Sequence, residues 1–128
     1  MSLHHFSTRV YLEDVDAGGI VYHANHLKYA ERARTEMIAA SGLRHAQVME
    51  QGAAIVVKAL KIDYLAPLRL EQEVVVKSRV LSMGNASCVL EQEICRGADV
   101  CARLEVVLVH TVGGKPVRWS DALRQALA

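Results

Sequence analysis

Leu27-Lys28-Tyr29-Ala30-Glu31-Arg32-Ala33-Arg34-Thr35-Glu36-Met37-Ile38-Ala39-Ala40 is the one long helical stretch in a chain that otherwise alternates. Leu27, Ala30, Ala33, Met37 and Ala40 recur at spacings of three or four, which places them on one face of a helix. Lys28, Glu31, Arg32, Thr35 and Glu36 take the remaining positions, with Arg32 and Glu36 spaced to pair at i, i+4. Asn25 is the expected N-cap and Gly42 the expected C′ residue. The apolar stripe is rich in alanine, so whatever packs against it can approach closely.

A short second helix is expected over 46–51, and then the period changes from helical to alternating. Even-numbered positions carry the apolar side in four successive runs. They are Val56, Leu60, Ile62 and Tyr64; Leu70, Val74, Val76 and Val80; Cys88, Leu90 and Ile94; and Val100, Ala102, Leu104, Val106 and Leu108. Odd positions between them hold charges such as Lys61, Glu73, Arg79, Glu91, Glu93, Arg103 and Glu105, so one face meets a core and the other is more polar. Turn signals at Ala66-Pro67, Met83-Gly84-Asn85 and Arg96-Gly97-Ala98-Asp99 are short enough for antiparallel hairpins. With a β-prone segment over 5–12, the order is one long helix and about five strands. A single antiparallel sheet curling around that helix buries its stripe with the fewest elements. Val75, Val89, Val107 and Val109 fall on the outer face, where a second subunit would cover them, although β-branched residues also simply suit strands. The tail over 119–127 reads as a short docking helix capped by Ser120.

The 128 residues make one domain, spanning 1–128, and a 52% hydrophobic content excludes a disordered chain. Fifteen basic and fourteen acidic side chains leave a net charge of +1, which gives no global attraction to nucleic acid or to an anionic membrane. Any phosphate-bearing ligand must be held by a local cluster; Lys58, Lys61 and Arg79 are candidates, although such charges on a strand's outer face are usually just solvated. Cys88, Cys95 and Cys101 are odd in number and fit no metal spacing, so free thiols in a reducing cytoplasm are expected. The start of the chain lacks the basic and apolar runs of a signal peptide, and no apolar stretch is long enough to span a bilayer.

The segment before the helix reads Tyr11-Leu12-Glu13-Asp14-Val15-Asp16-Ala17-Gly18-Gly19-Ile20-Val21-Tyr22-His23-Ala24-Asn25, and its continuation is Tyr29-Ala30-Glu31-Arg32-Ala33-Arg34-Thr35-Glu36. This block closely resembles the signature of the 4-hydroxybenzoyl-CoA thioesterase-like hotdog proteins, and within them the Tol–Pal-associated acyl-CoA thioesterases. A second block, Ile62-Asp63-Tyr64-Leu65-Ala66-Pro67-Leu68, resembles the strand-end pattern of the same family. The resemblance implies an α+β hotdog fold, a five-stranded antiparallel sheet wrapped around one long central helix. It also implies sheets joined edge to edge in a homodimer that assembles to a homotetramer, and hydrolysis of acyl-CoA thioesters with no metal or organic cofactor. The family's catalytic aspartate, the second acid of the Asp-x-Asp pair, falls on Asp16. Its carbonyl-polarising amide, at the start of the long helix, falls at His23. Gly19, Val21, Tyr22 and Tyr64 are the expected substrate contacts.

Two positions depart from the pattern. Close relatives often carry two tyrosines before the acid pair, whereas here Tyr11 is followed by Leu12, which offers no hydroxyl. Relatives that hydrolyse 4-hydroxybenzoyl-CoA place basic residues near the turn between the second and third long strands, and here that turn reads Met83-Gly84-Asn85-Ala86.

The residues suit thioester chemistry. An aspartate is ionised in water at neutral pH, so Asp16 can attack a carbonyl or deprotonate water without an activating partner. Unpaired amides and the positive dipole end at a helix start suit a developing oxyanion. His23 lies seven positions after Asp16, enough for the turn to bring the acid over the helix start. Gly18 and Gly19 allow unusual backbone angles and close approach of a ligand. Asp14 is expected to serve as a structural hydrogen-bond acceptor, Glu31 and Arg34 as a surface or interface ion pair, and Tyr64 as core or pocket wall. Three rival readings stand beside this one. Asp16, His23 and His26 contain an i, i+3 histidine pair that could bind zinc, which is weak evidence alone. A non-catalytic acyl-CoA-binding or scaffold protein would share the fold, but an intact Asp16 turn favours an enzyme. A hydratase would place its histidine and acid in a different motif.

Overall fold

The third strand expected from alternation is Ser87–Arg96, and its inward residues Cys88, Leu90 and Ile94 are at most 2% exposed. The same inward alternation buries Val74, Val76 and Val80 in Glu73–Met83, and Ala102, Leu104, Val106 and Leu108 in Asp99–Val112. The computed structural model describes residues 3–128; Met1 and Ser2, part of the expected domain and of the segment read for a signal peptide, lie outside the described residues. In chain order the elements are β1 (His4–Arg9), a 3-10 turn (Leu12–Asp14), α1 (Asn25–Ala39), α2 (His45–Glu50), β2 (Ala53–Tyr64), β3 (Glu73–Met83), β4 (Ser87–Arg96), β5 (Asp99–Val112), β6 (Lys115–Pro116) and α3 (Asp121–Leu127). The sheet runs β1-β3-β4-β5-β2, antiparallel throughout, with the two-residue β6 added on β5 as a sixth strand beyond the five expected.

Strict alternation misplaces the residues near bulges. The β2–β5 register shifts between Val57 and Ala59, so Ala53 and Ile55 face inward before the shift and Leu60 and Ile62 after it. Val56, expected inside, is therefore 42% exposed. One extra residue in a strand of period two moves every later side chain to the other face. A second shift between Ile94 and Cys95 puts Cys101 in the core and leaves Val100 only half-buried. Leu70 lies in the turn before β3 and is 39% exposed. The outer-face valines Val75, Val89, Val107 and Val109 are half-buried.

The helix also turns slightly from its expected face. Its buried residues are His26, Tyr29, Ala30, Ala33, Met37 and Ile38, while Leu27 and Ala40 at the ends of the expected stripe are exposed. His26 and Tyr29 count as polar in a hydropathy pattern, yet each is buried with its polar atom hydrogen-bonded, which removes the cost of burial. The N-cap is Ala24 rather than Asn25, whose side-chain amide instead donates to the Asp14 carbonyl at 3.1 Å. The helix ends with Ala40 as its C-cap, and Gly42 takes its φ of +89° two residues further on. Ser120 does cap α3, accepting from the Leu123 amide at 3.2 Å.

Where α1 crosses β3 and β4, Gln92 sits on the inward face in place of an apolar residue. Its amide donates to the Ala30 carbonyl and the Ser78 hydroxyl, and its oxygen accepts from Arg34, each at 2.9 Å. Arg34 thus bonds to the sheet rather than to Glu31. Among the described residues the ion pairs are Arg79–Glu91, Arg103–Glu93 and Arg96–Asp99, so neither Arg32–Glu36 nor Glu31–Arg34 forms. The first two join residues directly opposite on neighbouring strands, where opposite charges are close enough to pair.

Ala33 has no exposed surface on the buried face of α1. Ala33→Leu is expected to lower stability by about 1–3 kcal/mol by overpacking, whereas Ala39→Leu on the exposed face should stay within about 0.5 kcal/mol, both read by denaturant unfolding.

Candidate active site

Asp14 organises the segment between β1 and α1. It is 6% exposed, and its Oδ2 accepts from the Tyr29 hydroxyl at 2.8 Å and from the Tyr11 amide at 2.9 Å. Its carbonyl accepts from the Tyr22 amide at 3.0 Å as well as from the Asn25 side chain. Burial, and then the bond to Asp14, raise the pKa of Tyr29, so its hydroxyl remains a donor. The carboxylate therefore does the structural work expected of it, and Tyr29 is the partner that helical periodicity did not single out.

Beyond Asp14 the chain forms a small hairpin. Val15 bridges Val21, and the Asp16 amide donates to the Ile20 carbonyl at 2.9 Å. A β-turn closes the tip, with the Gly19 amide donating to the Asp16 carbonyl at 3.0 Å and Gly19 at φ +76°. Asp16 is exposed at this tip, and its Oδ1 accepts from the amides of Gly18 at 2.9 Å and Ile20 at 3.4 Å. A Cβ on Gly18 would come within 3.3 Å of that oxygen, so the glycine makes room for the carboxylate. Oδ2 of Asp16 accepts no hydrogen bond among the described residues. The hairpin lies along the loop after β2, through Val21 to Leu68 at 2.9 Å and the Ile20–Arg69 bridge.

Beside it is an open cleft of about 320 Å³. Ile20, Val21, His23 and His26 line one wall, and residues 64–67 the other. Of the residues expected from sequence, the structure brings Val21, His23 and Tyr64 into this cleft; Asp16, Gly19 and Tyr22 lie on the adjoining hairpin and its exit, outside the lining. Tyr22 stacks obliquely on His23, ring centres 4.3 Å apart. The helix begins at Asn25, so His23, which the resemblance puts at the helix start, lies in the turn that leads into it. Its backbone amide meets no acceptor among the described residues. Its carbonyl accepts twice, from the Tyr64 hydroxyl at 2.7 Å and from Nδ1 of His26 at 3.1 Å. A carbonyl only accepts, so the proton of a neutral His26 ring sits on Nδ1.

His26 was considered from sequence only as a metal ligand. It is 3% exposed and meets the Tyr64 ring edge-on at 4.9 Å. No cluster of three or more His, Cys, Asp or Glu with metal-binding geometry occurs among the described residues. Of the charges considered for phosphate, Arg79 is engaged by Glu91, while Lys58 and Lys61 are exposed on β2. A second cavity of about 260 Å³, between α2, β5 and α3, holds none of the expected site residues. All three cysteines are free and buried, and burial raises the Cys88 thiol to about 11. No described helix is long and apolar enough to cross a membrane.

Residues 10–127 match the model of the thioesterase-like superfamily. The chain is 36% identical over 124 residues to the acyl-CoA thioesterase YbgC of Haemophilus influenzae, covering 94% of this chain and 91% of that one. It is equally identical over 111 residues to the acyl-CoA thioester hydrolase YbgC of Escherichia coli O6:H1, covering 87% and 83%. Among solved structures, the "Probable Thioesterase from Bartonella henselae" superposes with a TM-score of 0.90 at 27% identity, over 93% of this chain and all of that one.

Burial is the largest influence on His26 and lowers its pKa from 6.5. The unfolded chain then takes up this proton first, so the neutral ring's contribution to stability is present above about pH 6.5 and is lost as pH falls below it. Thermal unfolding between about pH 5 and pH 7 should show a steeper acid-side decline for the native protein than for His26→Asn.

Proposed function

The chain belongs to the thioesterase-like superfamily and is an acyl-CoA thioester hydrolase, and from that premise we propose that Asp16 carries the reaction and the His23 amide polarises the thioester carbonyl. The observation that carries this reading is the state of the Asp16 carboxylate. One oxygen is held by the Gly18 and Ile20 amides, and the other is left unpartnered, on the hairpin whose Ile20 and Val21 line the cleft. An anchored carboxylate with one free oxygen has lost the rotational freedom that would blunt it as a reagent.

In the nucleophilic route Oδ2 adds to the thioester carbon and the carbonyl oxygen takes up negative charge against the His23 amide. Collapse of that intermediate breaks the C–S bond, releases the CoA thiolate, which is protonated by solvent, and leaves a mixed anhydride. Water then hydrolyses the anhydride to free acid and restores Asp16. In the general-base route Asp16 instead takes the proton of an attacking water. Both routes use the same free oxygen and the same unpaired amide. Gly19 and Tyr22, beside the cleft, and Val21 and Tyr64, in its walls, are the proposed substrate contacts.

We also infer that the working form is a homodimer joined through β2 and assembling to a tetramer. β2 is the longer edge strand of the sheet, bonded only to β5, and it exposes Val56 and Val57 at 42% and 46%. A long apolar edge is a template for pairing with a second chain. The half-buried outer-face valines would meet in a second contact.

Asp16→Asn is expected to lower thiol release from acyl-CoA by about 10²–10⁴-fold with an unchanged unfolding midpoint; wild-type turnover in this variant rules Asp16 out. Val56→Lys together with Val57→Lys should shift the light-scattering mass from an oligomer toward the single chain.

A further inference from the structure

The cleft is bridged from wall to wall by one polar contact. Tyr64, at the end of β2, lies forty-one positions from His23 in sequence, and its hydroxyl donates to the His23 carbonyl at 2.7 Å. Nδ1 of His26 donates to the same oxygen from within α1. The Tyr22 carbonyl, one peptide earlier, accepts from the Asn25 amide at 2.9 Å. The two peptide units on either side of the His23 Cα are thus each held by their carbonyl oxygen. A peptide unit is planar and trans, so the held Tyr22 carbonyl fixes the direction of the His23 N–H and the held His23 carbonyl that of the Ala24 N–H.

Building on the reading of this cleft as the site of hydrolysis, we propose that Tyr64 and His26 are positioning residues whose shared grip on the His23 carbonyl sets the cleft width and anchors the His23 Cα, from which the His23 amide, aimed by the Tyr22 carbonyl, projects. Neither acts on substrate through this contact. Oxyanion stabilisation depends on where the donor points before the charge appears, so loosening the strut weakens binding of the transition state more than of the ground state. The Tyr64 hydroxyl is spent on His23, which leaves its ring as the surface offered to the acyl group. The two rings that carry these donors also touch edge-on, with centres 4.9 Å apart.

The grip has two donors, which makes a specific pattern of losses. Removing one leaves the carbonyl satisfied by the other, whereas removing both frees it. Tyr64→Phe and His26→Phe should each lower kcat about 3–10-fold with KM changed less than about 3-fold. The double variant should lose more than the product of the single losses. His26→Asn, whose side-chain amide puts a donor near the place of Nδ1, should recover most of the kcat lost in His26→Phe, while His26→Gln, which puts its donor near Nε2, should not. Circular dichroism and the unfolding midpoint establish that each variant is folded. A strictly multiplicative double variant, or wild-type kcat in both single variants while Asp16→Asn is inactive, overturns the strut and leaves the hydrolytic site standing. If Asp16→Asn remains active, the site reading fails on its own. The strut is then decided by the ¹⁵N–¹H resonances of His23 and Ala24: a shift in Tyr64→Phe and His26→Phe supports it, and unmoved resonances overturn it.

Discussion

A buried carboxylate cannot be left without donors, and Asp14 collects its donors from three directions. The Tyr29 hydroxyl reaches it from the core face of α1, the Tyr11 amide from the end of β1, and its own carbonyl ties back the Tyr22 amide and the Asn25 side chain. Those bonds fix where the strand leaves the sheet, where the hairpin begins and where the helix starts. The hairpin bearing Asp16 hangs from this knot, so the position of the acid proposed to react is inherited from the structural one. Removing the Asp14 carboxylate would strand a tyrosine hydroxyl in the core and release the Tyr11 amide, while the Asp14 carbonyl would still hold Tyr22 and Asn25.

The two acids of the Asp-x-Asp pair divide their roles by the simplest geometry available. Residues two apart in extended chain point the same way, yet the 3-10 turn over Leu12–Asp14 ends between these two and rotates the second outward. Asp14 is buried, with Oδ2 accepting from both Tyr11 and Tyr29; Asp16 is exposed, and its bonds come only from the amides of its own turn. The same turn leaves Leu12 75% exposed. A tyrosine hydroxyl at this position would therefore sit at the surface of a single chain, and Leu12 takes nothing from the internal bonding of this one.

Most of the architecture was legible because it rests on period and punctuation. The helix, the hairpins and the inward sets of β3, β4 and β5 all follow from apolar spacing and turn residues. Val56 and Val100 were misplaced because a bulge adds one residue without altering composition, and nothing in the chemistry of Val57 or Cys95 marks the shift. The helix face was rotated because hydropathy scores His26 and Tyr29 by their polar atoms, whereas burial depends on whether those atoms find partners. Asp16 and His23 came from a recognisable motif. The role of the Tyr64 hydroxyl could not come from sequence, since it joins a strand end to a helix start far apart in the chain.

Thioester hydrolysis needs a site that admits one water and excludes the rest. In the single chain Asp16, Tyr22, His23 and Tyr64 are all exposed around an open cleft, while the edge strand that ends at Tyr64 has no second neighbour. These two features have one remedy. Antiparallel pairing of β2 with its own copy would satisfy the free edge and set the partner's strand beside Tyr64, roofing the cleft with the same contact. On that arrangement the exposure of Asp16 in one subunit counts in favour of its role, because a reagent placed where two surfaces meet is dry only after assembly. The strut between Tyr64 and His23 would then brace the seam from inside, holding one wall steady while the other is supplied by the partner.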